Sequence, residues 1–349
     1  MNNNYKKTFN LPNCFNKYNQ QIDQGLKKEL LHRKNPIYTT HEYYMGWNSL
    51  GGKYENHIGK RFRPTLLLLS SDCVNGNPNI AINLATALEY IHNFSLIHDD
   101  LEDRDKFRHH RPTVWAIWGD SKAIISGNGM LKISDEIMGK IISNEISKEF
   151  AIELQKEITL SYLKMMEGQY LDIAYENTLT VSIDQYLRMI ELKTGALIES
   201  AMYLGSMTNL QQIQSKISEH MRIIGHEIGR IYQIRDDILG VWGTNKTGKP
   251  VGADLLRKKK SLPAVHALNT ESSKIRNKMK SLFSSDKINQ TKVNNILEIM
   301  EDIDTFKFCQ SMAESHWYKA KEIISTLDLN DKSKKDLEEL GEFLLYRES

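Results

Sequence analysis

Four acids crowd one short stretch of this chain: Asp99, Asp100, Glu102 and Asp103. The approach to them, Leu84 through Ile97, is apolar and free of Gly and Pro, as expected of a helix. On a helix, Asp99 and Asp103 lie one turn apart on one face, with Asp100 beside them. They also fall near the helix C-terminus, where the dipole is already negative. A compensating positive charge is therefore expected. A hard divalent cation such as Mg2+ suits carboxylate oxygens and keeps positions open for a phosphate. The competing reading is a solvated acidic turn, since short motifs match by chance often. The following residues tilt the balance. Arg104, Lys106, Arg108, His109, His110 and Arg111 come directly after the acids. Carboxylates that hold a metal, beside cations that hold anions, are what a diphosphate–metal site requires.

Further stretches carry compatible chemistry. Asp236 and Asp237 close a second apolar helical pattern, residues 217–242. A Gly- and Lys-rich segment follows, GTNKTGKPVGADLLRKKKSLP, with Lys249, Lys258, Lys259 and Lys260. Backbone N–H groups of such a loop can approach a phosphate, although the order is not that of a P-loop. Lys60, Arg61 and Arg63 are framed by Gly59 and Pro64, ahead of an apolar helix. Cations are the wrong sign for a helix N-terminus unless an anion joins them. His92 lies seven residues before Asp99 and shares its face, either as a packed side chain or as a ligand. Lys193-Thr194-Gly195 sits inside the helical pattern 182–207, where Gly costs about 1 kcal/mol against Ala unless close packing compensates.

The elements that would position these residues are helical throughout. Residues 22–33, 113–140 (with a Gly-marked break), 148–176, 182–207, 217–242 and most of 264–349 carry helical patterns, and Ser182 is a natural N-cap. Residues 38–54, aromatic and Gly-containing, read as a connection. Residues 75–79 read as a turn. No strand-like alternation or internal repeat is evident, so the class is all-α. Residues 1–20 read as a flexible extension and 21–349 as a single domain. The chain has 349 residues, 40% hydrophobic and 26% charged, with a net charge of +2. That balance gives no global field for nucleic acid. Cys14, Cys73 and Cys309 are widely spaced, which suggests a reducing, cytoplasmic setting. No secretory signal and no transmembrane segment is legible.

Taken in order, GKRFRP, HDDLED, RHHRPT, GQYLD, YLRMIELKTGAL, YQIRDD, TGKPVGADL and KKKSLP resemble the trans-isoprenyl diphosphate synthases, the polyprenyl synthetase family, over roughly residues 20–330. The resemblance implies a single large bundle of long helices around a central cavity, of the isoprenoid synthase type, and a homodimer. It implies three Mg2+ ions, two at Asp99 and Asp103 with Asp100 adjoining, and a third at Asp236-Asp237. Arg108, Lys193, Thr194, Gln233, Lys249 and Lys259 match the family's site for the allylic diphosphate. Lys60, Arg63, His92 and, in place of an arginine, His109 match its isopentenyl diphosphate site. Asp99, Asp103, Lys193 and Asp236 would carry the catalysis. Phe94 and Ser95, five and four residues before Asp99, match the positions that set chain length. An aromatic at Phe94 is similar to the archaeal geranylgeranyl diphosphate synthases. Helical spacing alone turns Phe94 about 140° away from Asp99, so a plain core role stands beside that reading.

Three departures from the family pattern stand out. His109 replaces an arginine, Gly240 replaces the last acid of the second motif, and Asn128 stands where an Asp is usual. Two other functions are consistent with those losses. One is a class I terpene cyclase, which ionises an allylic diphosphate without isopentenyl diphosphate. The other is a non-catalytic partner subunit of a synthase. Retention of Lys60, Arg63 and His92 speaks against the cyclase. Intact Asp99, Asp103, Asp236 and Lys193 speak against the subunit.

Overall fold

Asn77 opens the acid-bearing helix by accepting the N–H groups of Asn79 and Ile80, with Pro78 fixing the first turn. That helix, α4 (Pro78–Glu102), then runs unbroken to the acids. The computed structural model describes residues 11–50, 59–141, 146–210, 216–243, 251–285 and 287–348. Before α4 come α1 (Asn13–Lys28), α2 (Ile37–Tyr44) and α3 (Phe62–Cys73). After it come a hairpin of β1 (Phe107–Arg108) and β2 (Arg111–Pro112), α5 (Val114–Trp118), α6 (Asp120–Ile141) and α7 (Lys148–Tyr175). α8 (Ile183–Ile190) leads through a π-helical turn, Glu191–Gly195, into α9 (Ala196–Met207). α10 (Lys216–Trp242), α11 (Ala253–Leu256), α12 (Leu262–Leu268), α13 (Ser273–Ser284), α14 (Gln290–Asp302), α15 (Thr305–Thr326) and α16 (Asp331–Tyr346) complete the chain. The protein is all-α, as the periodicity implies, and the two-residue strands are its only sheet among the described residues.

α4 packs on α6 and α3, α9 packs on α3 and α10, and α15 closes over α10. Leu66, Leu67, Leu69, Leu84, Leu88 and Tyr90 are fully buried between these helices. Each such side chain contributes about 1.5–3 kcal/mol on leaving water. A second, smaller apolar cluster under α11–α14 is built on Leu255, Met279, Val293 and Ile296.

Two sequence readings are corrected here. The flexible extension does not reach residue 20, because α1 begins at Asn13 and buries Cys14, Phe15, Tyr18, Ile22 and Leu26. That spacing places them on one stripe facing α3 and α4. The connection expected over 38–54 contains α2, whose Tyr43 and Thr40 are buried. The reading of 182–207 as one helix is modified as well. Ser182 does cap it, with Gln185 completing a capping box, but the π turn splits it at Lys193.

Close approach explains that turn. A Cβ at Gly168 of α7 would lie 2.1 Å from the Lys193 backbone nitrogen. A Cβ at Gly229 of α10 would lie 2.8 Å from the Gly195 Cα. α7 and α10 thus clasp the π turn backbone-to-backbone, and only glycine permits that separation. Gly168→Ala is expected to force α7 off Lys193 and cost about 1–3 kcal/mol. Thermal melting would show the loss, and an unchanged midpoint would disprove the clasp.

Candidate active site

Asp99 and Asp100 of α4 are met by cations of the protein. Arg108 on β1 donates through Nε to Asp100 Oδ1 at 2.6 Å and through Nη2 to Asp99 Oδ2 at 2.8 Å. Lys193 on the π turn donates to Asp99 Oδ1 at 3.2 Å and to Asp172 Oδ2 of α7 at 2.5 Å. The positive charge expected at the C-terminal end of α4 is therefore supplied by protein side chains. Burial would lower the Lys193 ammonium, yet Asp172 and Asp99 outweigh it and hold it above its ordinary range. Burial would raise Asp99, yet Lys193 and Arg108 hold it below. Asp103 lacks such partners. Loss of hydration and then the Asp99 charge push it up to about 7.

Asp100 is engaged differently from Asp99. It is 1% exposed, and Tyr44 of α2 donates to its second oxygen at 3.0 Å. Burial lifts it to about 6. Both of its oxygens are occupied by protein donors, which fix Arg108 and α2. Asp237 is comparable. Its Oδ1 accepts Gln233 Nε2 at 2.9 Å, and its Oδ2 accepts the Leu262 N–H at 2.7 Å and the Tyr186 hydroxyl at 2.5 Å. Burial raises it to about 6. Asp100 and Asp237 thus serve the scaffold in this structure, while Asp99 and Asp172 share Lys193, Asp103 feels their charges, and Asp236 stands with Arg347.

Asp236 pairs with Arg347, beyond α16, whose guanidinium also lies over the Tyr232 ring. The Asp236 side chain remains 42% exposed. Lys60 feels the charges of both Arg347 and Asp236, after a larger lowering by burial. Arg63 is buried, its Nη1 lies 3.0 Å from His92 Nε2, and its Nε has no partner. Burial and then Arg63 keep His92 well below its ordinary value, hence neutral. Lys60, Arg63, His92 and Asp236 thus form one neighbourhood. His109 sits apart from it at the exposed hairpin tip.

The π turn links the two acidic helices: Lys193 holds Asp99 of α4, and Thr194 donates to Gln233 Oε1 of α10 at 2.7 Å, with Gln233 in turn donating to Asp237. A narrow crevice of about 40 Å3 lies between Lys193, Thr194, Gln233, Asp237, Lys259 and Ser261. Burial would lower Lys259, but Asp254 and then Asp237, Asp172 and Asp99 hold it above its ordinary range. Lys249 lies outside the described residues. Phe94 is buried and meets His98 edge to face at 4.9 Å, and Ser95 donates to the His92 carbonyl at 2.8 Å.

Among the described residues, no three His, Cys, Asp or Glu side chains gather tightly enough to hold an ion alone. The donor set nevertheless suits Mg2+, which is held by one or two carboxylates plus substrate phosphates. A cation beside Asp103 would offset the Asp99 charge that, after loss of hydration, raises its carboxyl. Asp99 and Asp103 on α4, and Asp236 on α10, are the carboxylates that could hold such ions.

Several contributors were not singled out from sequence. Asp172 belongs to GQYLD, so its signal was present. Arg347 and Tyr44 carry no local signal. Gly240 has a packing reason, because a Cβ there would lie 2.0 Å from Asp254 Oδ2. Asp254 occupies the space that a third acid of the motif would need. Asn128 is exposed on α6.

The hairpin that carries Arg108 turns on His109 and His110, with φ of 49° and 62°. Two left-handed residues between paired strands make a tight hairpin turn, which favours Asn and Gly. His110 is exposed there. His110→Gly is expected to stabilise the fold by about 1 kcal/mol by removing the Cβ conflict. A raised melting midpoint would confirm this, and a lowered one would mean that the imidazole supports the turn.

The chain matches the polyprenyl synthetase family model over residues 49–300. It is 30% identical over 312 residues to the (2E,6E)-farnesyl diphosphate synthase of Mycobacterium bovis, covering 88% of this chain and 85% of that protein. It is 35% identical over 291 residues to the short chain isoprenyl diphosphate synthase of Methanothermobacter thermautotrophicus, covering 83% and 87%. The crystal structure of geranylgeranyl pyrophosphate synthetase from Pyrococcus horikoshii Ot3 superposes with a TM-score of 0.81 at 30% identity, over 95% of this chain and 99% of that one.

Proposed function

The chain belongs to the polyprenyl synthetase family and is a prenyltransferase, and from that premise we propose that it condenses an allylic diphosphate with isopentenyl diphosphate, head to tail and with Mg2+, to a short all-trans prenyl diphosphate. The observation that carries this reading is Lys193 held between Asp99 and Asp172, with Arg108 on the other side of Asp99. Preorganised cations among carboxylates suit a ligand that is itself an anion with metal counter-ions.

Arg108, Lys193 and Lys259 would grip the allylic diphosphate, while Thr194 and Gln233 orient it. The diphosphate leaves with the C–O bonding pair, and these cations stabilise the charge that develops on it. Mg2+, when bound, adds positive charge to the same oxygens. Arg63, Lys60 and neutral His92 would hold the diphosphate of the second substrate, whose double bond attacks the allylic cation. The proton lost from the adduct passes to the departed diphosphate. The helices must keep water from the cation.

Geranylgeranyl diphosphate is the proposed main product, on the strength of Phe94. Phe94 and Ser95 are taken as the residues that limit chain length. A homodimer is supported by exposed apolar side chains: Ile124 and Ile125 on α6, and Ile152, Leu163, Met166 and Tyr170 along α7. A cytoplasmic setting is supported by three buried, free cysteines. Among the described residues, no helix is long and apolar enough to cross a membrane.

The decisive assay supplies purified protein with Mg2+, an allylic diphosphate and labelled isopentenyl diphosphate. Longer labelled diphosphates support the reading. A cyclic hydrocarbon formed without isopentenyl diphosphate would replace it with a cyclase. Turnover only beside a second protein would make the chain a partner subunit. In the same assay Phe94→Ala is expected to shift products to longer chains, and an unchanged distribution would remove Phe94 from length control.

Metal binding should also be linked to protons. Asp103, raised to about 7 in the free protein, is largely protonated below that pH and must ionise to bind a cation. Mg2+ is therefore expected to release protons near about pH 6 and almost none near about pH 8.5, with affinity rising between them. Calorimetry in buffers of different ionisation enthalpy reads the release directly. Equal release at both pH values would exclude Asp103 as a ligand.

A further inference from the structure

Ser261 stands at the start of α12, where a serine hydroxyl ordinarily caps the helix. It makes no such cap here. The Leu262 N–H, which follows directly, is taken instead by Asp237 Oδ2 from α10. Ser261 is 1% exposed, and its Oγ has no hydrogen-bond partner. The same residue lines the crevice shared by Lys193, Thr194, Gln233 and Lys259. Its neighbour Lys260 also lines the crevice, with its ammonium donating to the Glu176 carbonyl at 2.7 Å and tying the start of α12 to the end of α7. A buried hydroxyl without a partner is unfavourable unless a ligand completes it. The two carboxylates on the same crevice already accept from protein donors, Asp172 from Lys193 and Asp237 from Gln233, Tyr186 and Leu262. Lys193 and Lys259 add positive charge beside them, so the partner that suits this hydroxyl is an acceptor brought by a ligand, namely an anionic oxygen.

We propose that the Ser261 hydroxyl donates a hydrogen bond to a phosphate oxygen of the allylic diphosphate, and so helps to select and seat that substrate. The inference rests on the prenyltransferase reading for the identity of the ligand, and on the orphaned hydroxyl for the existence of the contact. Pro263, at the second position of α12, offers no N–H for the hydroxyl to accept, and Asp237 takes the first one.

Ser261→Ala and Ser261→Thr in the full chain test it, with inorganic pyrophosphate plus Mg2+ as the calorimetric probe and steady-state kinetics alongside. Ser261→Ala is expected to weaken pyrophosphate binding and raise the allylic KM, each about tenfold. The isopentenyl KM should stay as in the unmodified protein. The melting midpoint should hold or rise, because an unsatisfied hydroxyl has gone. Ser261→Thr, which keeps the hydroxyl, should restore affinity to within about twofold. Unchanged pyrophosphate affinity in Ser261→Ala overturns the proposal. So does a lowered melting midpoint with both substrates weakened equally, since that is the signature of a structural role. Should the unmodified protein bind pyrophosphate but elongate nothing, the prenyltransferase reading falls while Ser261 is still judged on the pyrophosphate affinities. If it binds no pyrophosphate, both fall.

Discussion

Lys193 is the charge on which this site depends. It touches acids from two helices, Asp99 of α4 and Asp172 of α7. Without it those carboxylates would face each other across a partly buried gap at considerable electrostatic cost. Its placement does not come from α8 or α9 as regular helices. The π turn displaces the backbone at Glu191–Gly195, and such turns recur where a side chain must be re-aimed toward a function. Gly168 and Gly229 hold that turn from opposite sides by backbone contact. Packing and charge are therefore coupled here, and a methyl group in the wrong place would move an ammonium.

The two acidic motifs resemble each other in sequence but divide their labour differently in space. At the first, Asp99 and Asp103 face the site, and Asp100 is spent on Arg108 and Tyr44. At the second, Asp236 pairs with Arg347 beside Lys60 and Arg63, and Asp237 is spent on Gln233, Tyr186 and α12. In each adjacent pair, the second carboxylate anchors the framework. A helix sends consecutive side chains about 100° apart, so a doublet of acids cannot aim both members at one point.

The long helices were legible because their apolar residues recur with helical period over many turns. α7 and α10 fall within a residue or two of their patterns, and Ser182 caps α8 as read. α2 was not legible. It is short, rich in aromatics, and held by contacts with the hairpin, where Arg111 lies over Tyr43 and bonds its carbonyl. The start of α1 was masked by polar residues around Cys14, Phe15 and Tyr18. In the site, residues inside motifs were found, whereas partners distant in sequence were not. Arg347 reaches Asp236 from 111 positions away, and no periodicity encodes such a pairing. The hairpin escaped notice because two histidines stand where Asn or Gly would announce a turn.

The Asp237 carboxylate has a reach beyond its own helix. It tethers the first turn of α12, a helix that also carries Ala264 and Leu268 into the smaller apolar cluster. A change in how that outer layer of α11–α14 packs is thus handed, through one oxygen, to the rim where Lys259 and Ser261 stand. Drift among those peripheral helices is a route by which descendants of this chain could retune ligand grip while every motif residue stays fixed.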